Sequence, residues 1–213
     1  MADPNQWGNA LDEAVHAVGR GQLVVLPTDT VYGIGADAFN AKAVNDLLAA
    51  KGRGRQMPPP VLVGSAHSLD ALADEIRDEV RALTTKFWPG PLTVICFAQP
   101  SLAWDLGETH GTVALRMPDH EAALALLRRT GPMAVSSANR TGADAATTAT
   151  SAAEQLGDKV AVYLDAGQSP GGVASTILDA TGPQLRVVRT GAIDLAQLRQ
   201  IVPDILDEGD QPA

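Results

Sequence analysis

Apolar residues along the 213-residue chain follow two alternating rhythms. Leu11, Val15 and Val18 recur at helical spacing, and Gly19 and Gly21 close that predicted helix. Gln22–Leu26 is a short apolar run between Gly and Pro, which predicts a strand. Pro27 to Gly35 reads as a loop rich in Thr and Gly, and Ala41 to Ala50 as a second helix. Val61–Val63 predicts a short strand, Leu69 to Phe87 a helix broken near Asp74, and Leu92–Ala98 and Thr112–Leu115 two further strands. Glu121–Arg129 is helical, with Asp119 as its candidate N-cap. Strands at Met133–Val135 and Val160–Leu164 flank a Thr-rich loop and a short helix. Strands at Ser175–Leu178 and Leu185–Val188 precede a last helix over Asp194–Ile201, capped by Asp194.

Helices alternating with short strands predict an α/β class. The turn-linked strands late in the chain add antiparallel pairs, hence a twisted mixed sheet with flanking helices. One domain is expected over residues 1–203. Asp204–Ala213, acidic and containing Pro and Gly, is expected to be a flexible tail.

Composition narrows the function. Aromatic residues are only 4%, so the core must be built from Ala, Val, Leu and Ile. Sixteen basic against 25 acidic residues give a net charge of -9. Such a surface repels polyanions, whereas a duplex-binding protein carries a basic face. A small anion can still bind if basic residues gather in one pocket. The single cysteine, Cys96, excludes an intramolecular disulfide and lies in an apolar run, as a buried small hydrophobe would. No apolar stretch approaches the roughly 20 residues of a membrane span. Met1–Gly8 is polar and lacks a basic-then-apolar leader pattern, so a cytoplasmic location is expected.

Five segments carry candidate chemistry. Pro27-Thr28-Asp29-Thr30-Val31-Tyr32-Gly33-Ile34-Gly35 leaves a strand end, a common ligand-binding position in α/β proteins. Its plain alternative is a tight turn with locally satisfied hydroxyls. Lys51-Gly52-Arg53-Gly54-Arg55 places three cations at a helix end, suited either to bracketing a polyphosphate or to a solvated basic terminus. It is not a Walker A loop. Arg116 stands where an apolar strand meets Pro118, placed to clamp a carboxylate or to pair with a nearby acid. Ser136-Ser137-Ala138-Asn139 follows a strand and can hold phosphate or adenine edges, or cap a helix. Ser175-Thr176 and Arg189-Thr190-Gly191 are weak signals individually. His16, His67, His110 and His120 show no metal-binding spacing, and no nucleophile elbow or dinucleotide loop is present. A reaction run by positioning and charge stabilisation remains.

Read in order, PTDTVYGIG, KGR, FWPGPLT (Phe87–Thr93), TVALRMPDH (Thr112–His120), SSAN, AST (Ala174–Thr176) and RTG resemble the YrdC-like threonylcarbamoyl-AMP synthases, from about Gly21 to Leu198. Each motif alone is weak; seven in order are specific. The resemblance implies a twisted mixed sheet with a cationic concave face. It implies formation of threonylcarbamoyl-AMP and pyrophosphate from ATP, L-threonine and bicarbonate, with Mg2+. A downstream threonylcarbamoyl transferase would then carry the group to adenosine in tRNA, with little or no direct tRNA binding by this chain. The longer members' extra C-terminal domain is not expected here.

By the same resemblance, Lys51 and Arg53 are the catalytic pair at the ATP phosphates, with Lys51 lining an open cleft. Thr112, Ser137, Asn139 and Arg189 join the ATP site, and Arg55 is placed with them as the third cation of the basic run rather than by the resemblance. Thr28, Arg116 and Ser175 hold threonine, Arg116 by its carboxylate. No metal ligand is implied by a side-chain motif. The chain departs from the family pattern at several points. Gly54 stands for a Pro, Leu62 for a His, and Ser136 and Thr190 each for a Pro. Ala145-Ala146-Thr147 stands for S-P-T. The competing reading is a non-catalytic or altered-substrate relative that binds nucleotide or RNA. The acidic charge and scarce aromatics oppose RNA. A carbamoyl-transfer domain of the hydrogenase-maturation type would need zinc-finger-like cysteines that one Cys cannot supply.

Overall fold

The computed structural model describes residues 7–210. The chain begins with α1 (Gly8–Gly19), β1 (Val24–Leu26), β2 (Gly33–Asp37), α2 (Ala41–Lys51) and β3 (Val61–Leu62). Next come α3 (Ser68–Leu72), β4 (Ala73–Asp74), α4 (Asp78–Phe87), β5 (Leu92–Ala98) and β6 (Thr112–Arg116). Then follow α5 (Glu121–Thr130), β7 (Met133–Ser137), α6 (Ala149–Leu156) and β8 (Val162–Tyr163). The last elements are β9 (Thr176–Asp179), β10 (Arg186–Arg189) and α7 (Leu195–Arg199). The strands form one sheet ordered β10-β9-β5-β6-β3-β7-β2-β1-β8, with β4 added to β5. The pairs β5·β9, β3·β6 and β1·β8 are parallel, and the others are antiparallel. The sheet is mixed, as the late turn-linked strands predict.

Strand alternation decides which helices cover which face. Along β1, Val24 and Leu26 join a cluster with Ala14, Ala17 and Val18 of α1 and Leu126 and Leu127 of α5. Val25, between them, joins Leu47 and Leu48 of α2 and Leu156 of α6. The period of two thus divides these four helices between two faces. A third cluster packs α3, α4 and α7 against β5, β6, β9 and β10.

Three local expectations change and two others are met. The last three residues of the predicted Pro27–Gly35 loop begin β2, paired with β7 through Gly33↔Ser137 to Asp37↔Met133. A Cβ on Gly33 would lie 2.5 Å from Val135 Cγ1, so glycine there permits close strand packing rather than a turn. The helix over Leu69–Phe87 is broken at Asp74 as expected, because Ala73 and Asp74 pair with Ala98 and Phe97 of β5. Asp119 does not cap α5: its backbone N–H is taken by the Asp29 carboxylate at 3.0 Å, and His120 holds the N-cap position without a side-chain cap bond. The tail expected from Asp204 is docked through Leu206. Ile205 is fully buried, Leu206 N–H donates to Leu185 O, and Val187 N–H donates to Leu206 O, both at 2.9 Å. Residues 211–213 of that tail, and residues 1–6 of the N-terminal segment, lie outside the described residues. Asp194 caps α7 as expected, in a reciprocal capping box with Gln197.

Candidate functional site

Residues of β2, β3, β5, β6, β7, β9 and β10 and of the loops beside them line a cleft of about 370 Å3. Arg53, Arg116 and Arg189 are the charged residues of its lining, which contains no carboxylate. In a chain of net charge -9, this is the gathering of cations that binding a small anion requires.

Arg116, at the end of β6, is 6% exposed. Its Nε donates to Gly90 O at 3.0 Å, one terminal nitrogen to Thr30 Oγ1 at 3.0 Å, and the other to Asp29 Oδ1 at 2.6 Å. The FWPGPLT turn delivers the Gly90 carbonyl: Gly90 N–H donates to Met117 O at 2.8 Å, and Trp88 Nε1 donates to Leu92 O at 2.8 Å. Burial pulls the Arg116 pKa down and the Asp29 charge opposes it. A guanidinium carries five N–H bonds, so these three leave one on each terminal nitrogen for a ligand. Both sequence readings of Arg116 therefore hold at once in its geometry. It is paired with an acid, and it still faces the cleft with donors spare.

Thr28 is buried, and its hydroxyl is fully engaged. It donates to Val31 O at 2.6 Å and accepts from Thr30 N–H at 3.2 Å. It also lies 3.0 Å from Thr30 Oγ1, which itself accepts from Arg116. One proton assignment satisfies every bond: Arg116 to Thr30, Thr30 to Thr28, Thr28 to Val31. Such a chain polarises each member toward the next. Thr28 therefore shapes the wall and steadies Arg116 without a free donor of its own.

On another wall, Ser175 Oγ lies 2.9 Å from Thr93 Oγ1 and accepts from Arg189 at 3.2 Å. Arg189 also donates to Ser175 O at 2.6 Å. A Cβ on Gly191 would lie 2.5 Å from the Ser175 carbonyl carbon, so the RTG glycine lets these segments meet. Thr112 lines the cleft, and its hydroxyl donates to Thr109 O at 2.8 Å.

The basic motif divides into three fates. Arg53 lines the cleft and donates to Ser136 Oγ at 3.3 Å, while its buried Nε has no partner. An unpaired buried donor at a cleft wall is suited to an anion. Lys51, expected to line the cleft, does not. It is 1% exposed, with Nζ donating to Ser137 O, to Asn139 O at 2.7 Å and to Asn139 Oδ1 at 3.3 Å. Arg55 points outward, pairing with Asp105 at 2.6 Å and with Asn45 at 2.9 Å, away from the lining set. Ser136 and Ser137 line the cleft, whereas Asn139 is buried behind it and donates to Arg140 O and Ala143 O.

Asp29 and Thr93, both inside the quoted motifs, carry roles that the sequence reading does not give them. Their partners are distant in the chain, Asp29 meeting Arg116 across 87 positions. Among the described residues, no group of three or more His, Cys, Asp or Glu could hold a metal ion. The cleft lining offers magnesium hydroxyls but no carboxylate. A resident magnesium cage does not fit, so any such ion would enter on the phosphates of a nucleotide. Burial, with Asp179 nearby, pushes the Cys96 thiol up to about 11, which leaves it inert at neutral pH. No helix among the described residues is long and apolar enough to cross a membrane.

Against known proteins, the Sua5/YciO/YrdC family profile, described as telomere recombination, matches residues 16–191. A Mycobacterium tuberculosis protein is 53% identical over 201 residues, covering 94% of this chain and 93% of that one. The threonylcarbamoyl-AMP synthase of Pyrococcus abyssi is 36% identical over 189 residues, covering 88% of this chain but 56% of that one. The crystal structure of Pyrococcus abyssi Sua5 complexed with L-threonine matches with a TM-score of 0.89 at 34% identity, over 95% of this chain and 61% of that one. The chain thus spans less than two thirds of this archaeal relative's length.

Proposed function

This chain belongs to the Sua5/YciO/YrdC family, and from that premise we propose that it is a threonylcarbamoyl-AMP synthase, joining L-threonine, bicarbonate and ATP. The observation that carries the reading is the cleft lining of three arginines and no carboxylate. Each substrate is an anion or carries a carboxylate, and the transition state gathers charge on phosphate oxygens.

The threonine carboxylate docks on the two spare N–H bonds of Arg116, held in place by Asp29 and Gly90. The threonine amine bonds to the carbon of bicarbonate-derived CO2, releasing a proton and leaving a carbamate. A carbamate oxygen then attacks the α-phosphorus in line, the bond from that phosphorus to the bridging oxygen breaks, and pyrophosphate leaves with the electron pair. Arg53, through its unpartnered Nε, and Arg189 face the growing charge. Ser137 and Thr112 line the nucleotide side. Any magnesium would arrive as part of the ATP substrate, as a counter-ion to its phosphates that the cleft lining itself does not hold. Holding carbamate and nucleotide together in one cleft supplies much of the acceleration. Acting in the cytoplasm, the enzyme passes its product to a downstream transferase that modifies tRNA.

The test is pyrophosphate release by purified protein while ATP, magnesium, bicarbonate and L-threonine are omitted in turn. Release that requires all four is expected. Release unaffected by leaving out threonine contradicts the proposal.

A further inference from the structure

The ammonium of Lys51 is the one cation of the basic motif that is buried behind the cleft, whereas Arg53 lines it and Arg55 faces solvent. It sits in the last turn of α2 at 1% exposure. An ammonium has three N–H bonds, and three acceptors meet it: Ser137 O, Asn139 O and Asn139 Oδ1. All three belong to one segment, 86 to 88 positions away in the chain. The Lys51 carbonyl accepts from Thr141 N–H at 2.9 Å, so main chain and side chain grip the same turn. Asn139 completes the knot through its amide, donating to Arg140 O at 2.9 Å and Ala143 O at 2.7 Å. Among the described residues no carboxylate pairs with Lys51. Its neutralisation comes from carbonyl dipoles and from the negative end of α2. The turn it holds carries Ser136 and Ser137 on the cleft wall, and Ser136 Oγ is the partner of Arg53.

We propose that Lys51 is a positioning residue: it pins the Ser136–Asn139 turn from behind, and through that turn sets Ser136, Ser137 and the Arg53 guanidinium against the nucleotide, without touching a phosphate itself. This deepens the synthase reading and rests on it only for the kinetic arm. Burial, reinforced by the nearby Arg53 charge, lowers the Lys51 pKa to about 8, as expected of an ammonium enclosed by protein.

The experiment compares Lys51→Met, Lys51→Arg, Asn139→Ala and the Lys51→Met/Asn139→Ala double variant. It measures melting without ligand, binding of pyrophosphate alone, and KM for ATP against kcat. Lys51→Met leaves Asn139 O and Asn139 Oδ1 without their donor, while Ser137 O keeps only the Asn139 N–H at 2.9 Å, so its ligand-free Tm should fall by about 5–10 °C. Its KM for ATP should rise about tenfold with kcat changed much less, because the wall is set before chemistry begins. Lys51→Arg, which keeps donors near the carbonyls, should recover part of both losses. Asn139→Ala, at a residue outside the cleft lining, should reproduce both effects, and the double variant should lose little more than either single one. A Lys51→Met protein that melts like wild type yet has lost pyrophosphate affinity overturns the proposal and makes Lys51 a phosphate ligand. If Lys51→Met does not fold, Asn139→Ala decides: wild-type melting and KM there also overturn it. Failure of the synthase reading shows separately, as wild-type protein without threonine-dependent pyrophosphate release, while the melting and pyrophosphate arms still decide the role of Lys51.

Discussion

Two arginine–aspartate pairs flank the cleft at the same 2.6 Å separation, Arg116–Asp29 and Arg55–Asp105. The side chains of the first are 8% and 13% exposed, and those of the second 45% and 44%. Distance therefore does not separate them; surroundings do. The Arg116 pair is fixed by the Gly90 carbonyl, Thr30 and the Asp119 N–H, in a wall from which water is largely excluded. Removing either partner leaves the other charged and uncompensated. The Arg55 pair stands in solvent, where salt screens it and water replaces it. It ties the basic loop to the 99–111 segment, together with a 2.8 Å bond from Glu108 N–H to Arg55 O. Near-identical pairs thus serve a chemical wall and a surface latch.

The comparison can be broken most sharply at Arg116. Arg116→Ala should destabilise the fold by about 3–5 kcal/mol, the cost of stranding a buried partner charge. At this chain length that is a Tm loss of about 10 °C. Pyrophosphate release should fall by about a hundredfold or more at fixed threonine, since an oriented carboxylate is lost as well. Unchanged threonine dependence in a folded Arg116→Ala protein would remove Arg116 from the binding site. A smaller effect is expected from pH. The folded pKa of Lys51, about 8, lies below its ordinary 10.5, so in that window the unfolded chain binds more protons. The stability contributed by this group is therefore complete above pH 10.5 and is lost as pH falls through 8. Melting curves of wild type and Lys51→Met should show the wild-type advantage growing between those values; a constant difference contradicts it. The smallest effect belongs to Arg55→Ala. A Tm change of about 1 °C or less and a turnover change within about twofold are expected, both vanishing further in high salt. A large loss of ATP affinity there would return Arg55 to the nucleotide site.

Much of this was legible in the chain. β5 spans Leu92–Ala98 as predicted, and α2 and α5 end within a residue or two of their predicted limits, because their apolar periods are uninterrupted. β2 was hidden because its glycines carry no side chain to mark a period, although they are what allows it to pack on Val135. Of the site, Thr28, Arg53, Thr112, Arg116, Ser137, Ser175 and Arg189 come together on one cleft. Lys51 and Arg55 could not be told from Arg53 by sequence. Three cations separated by glycines look alike until the fold turns one inward, one to the cleft and one to solvent. The carbonyls that enclose Lys51 belong to backbone, which sequence patterns do not report. The docked Ile205 was missed because two adjacent apolar residues, Ile205 and Leu206, in an acidic stretch give no periodic signal.

The most direct measurement of the central claim is the mass of the adenylate formed when the protein is given ATP, magnesium, L-threonine and isotopically labelled bicarbonate. Threonylcarbamoyl-AMP carrying the bicarbonate label in its carbamoyl group, in step with pyrophosphate, is the predicted result. Folded protein that binds ATP yet forms no labelled adenylate, or an adenylate that carries threonine without the label, would contradict the account.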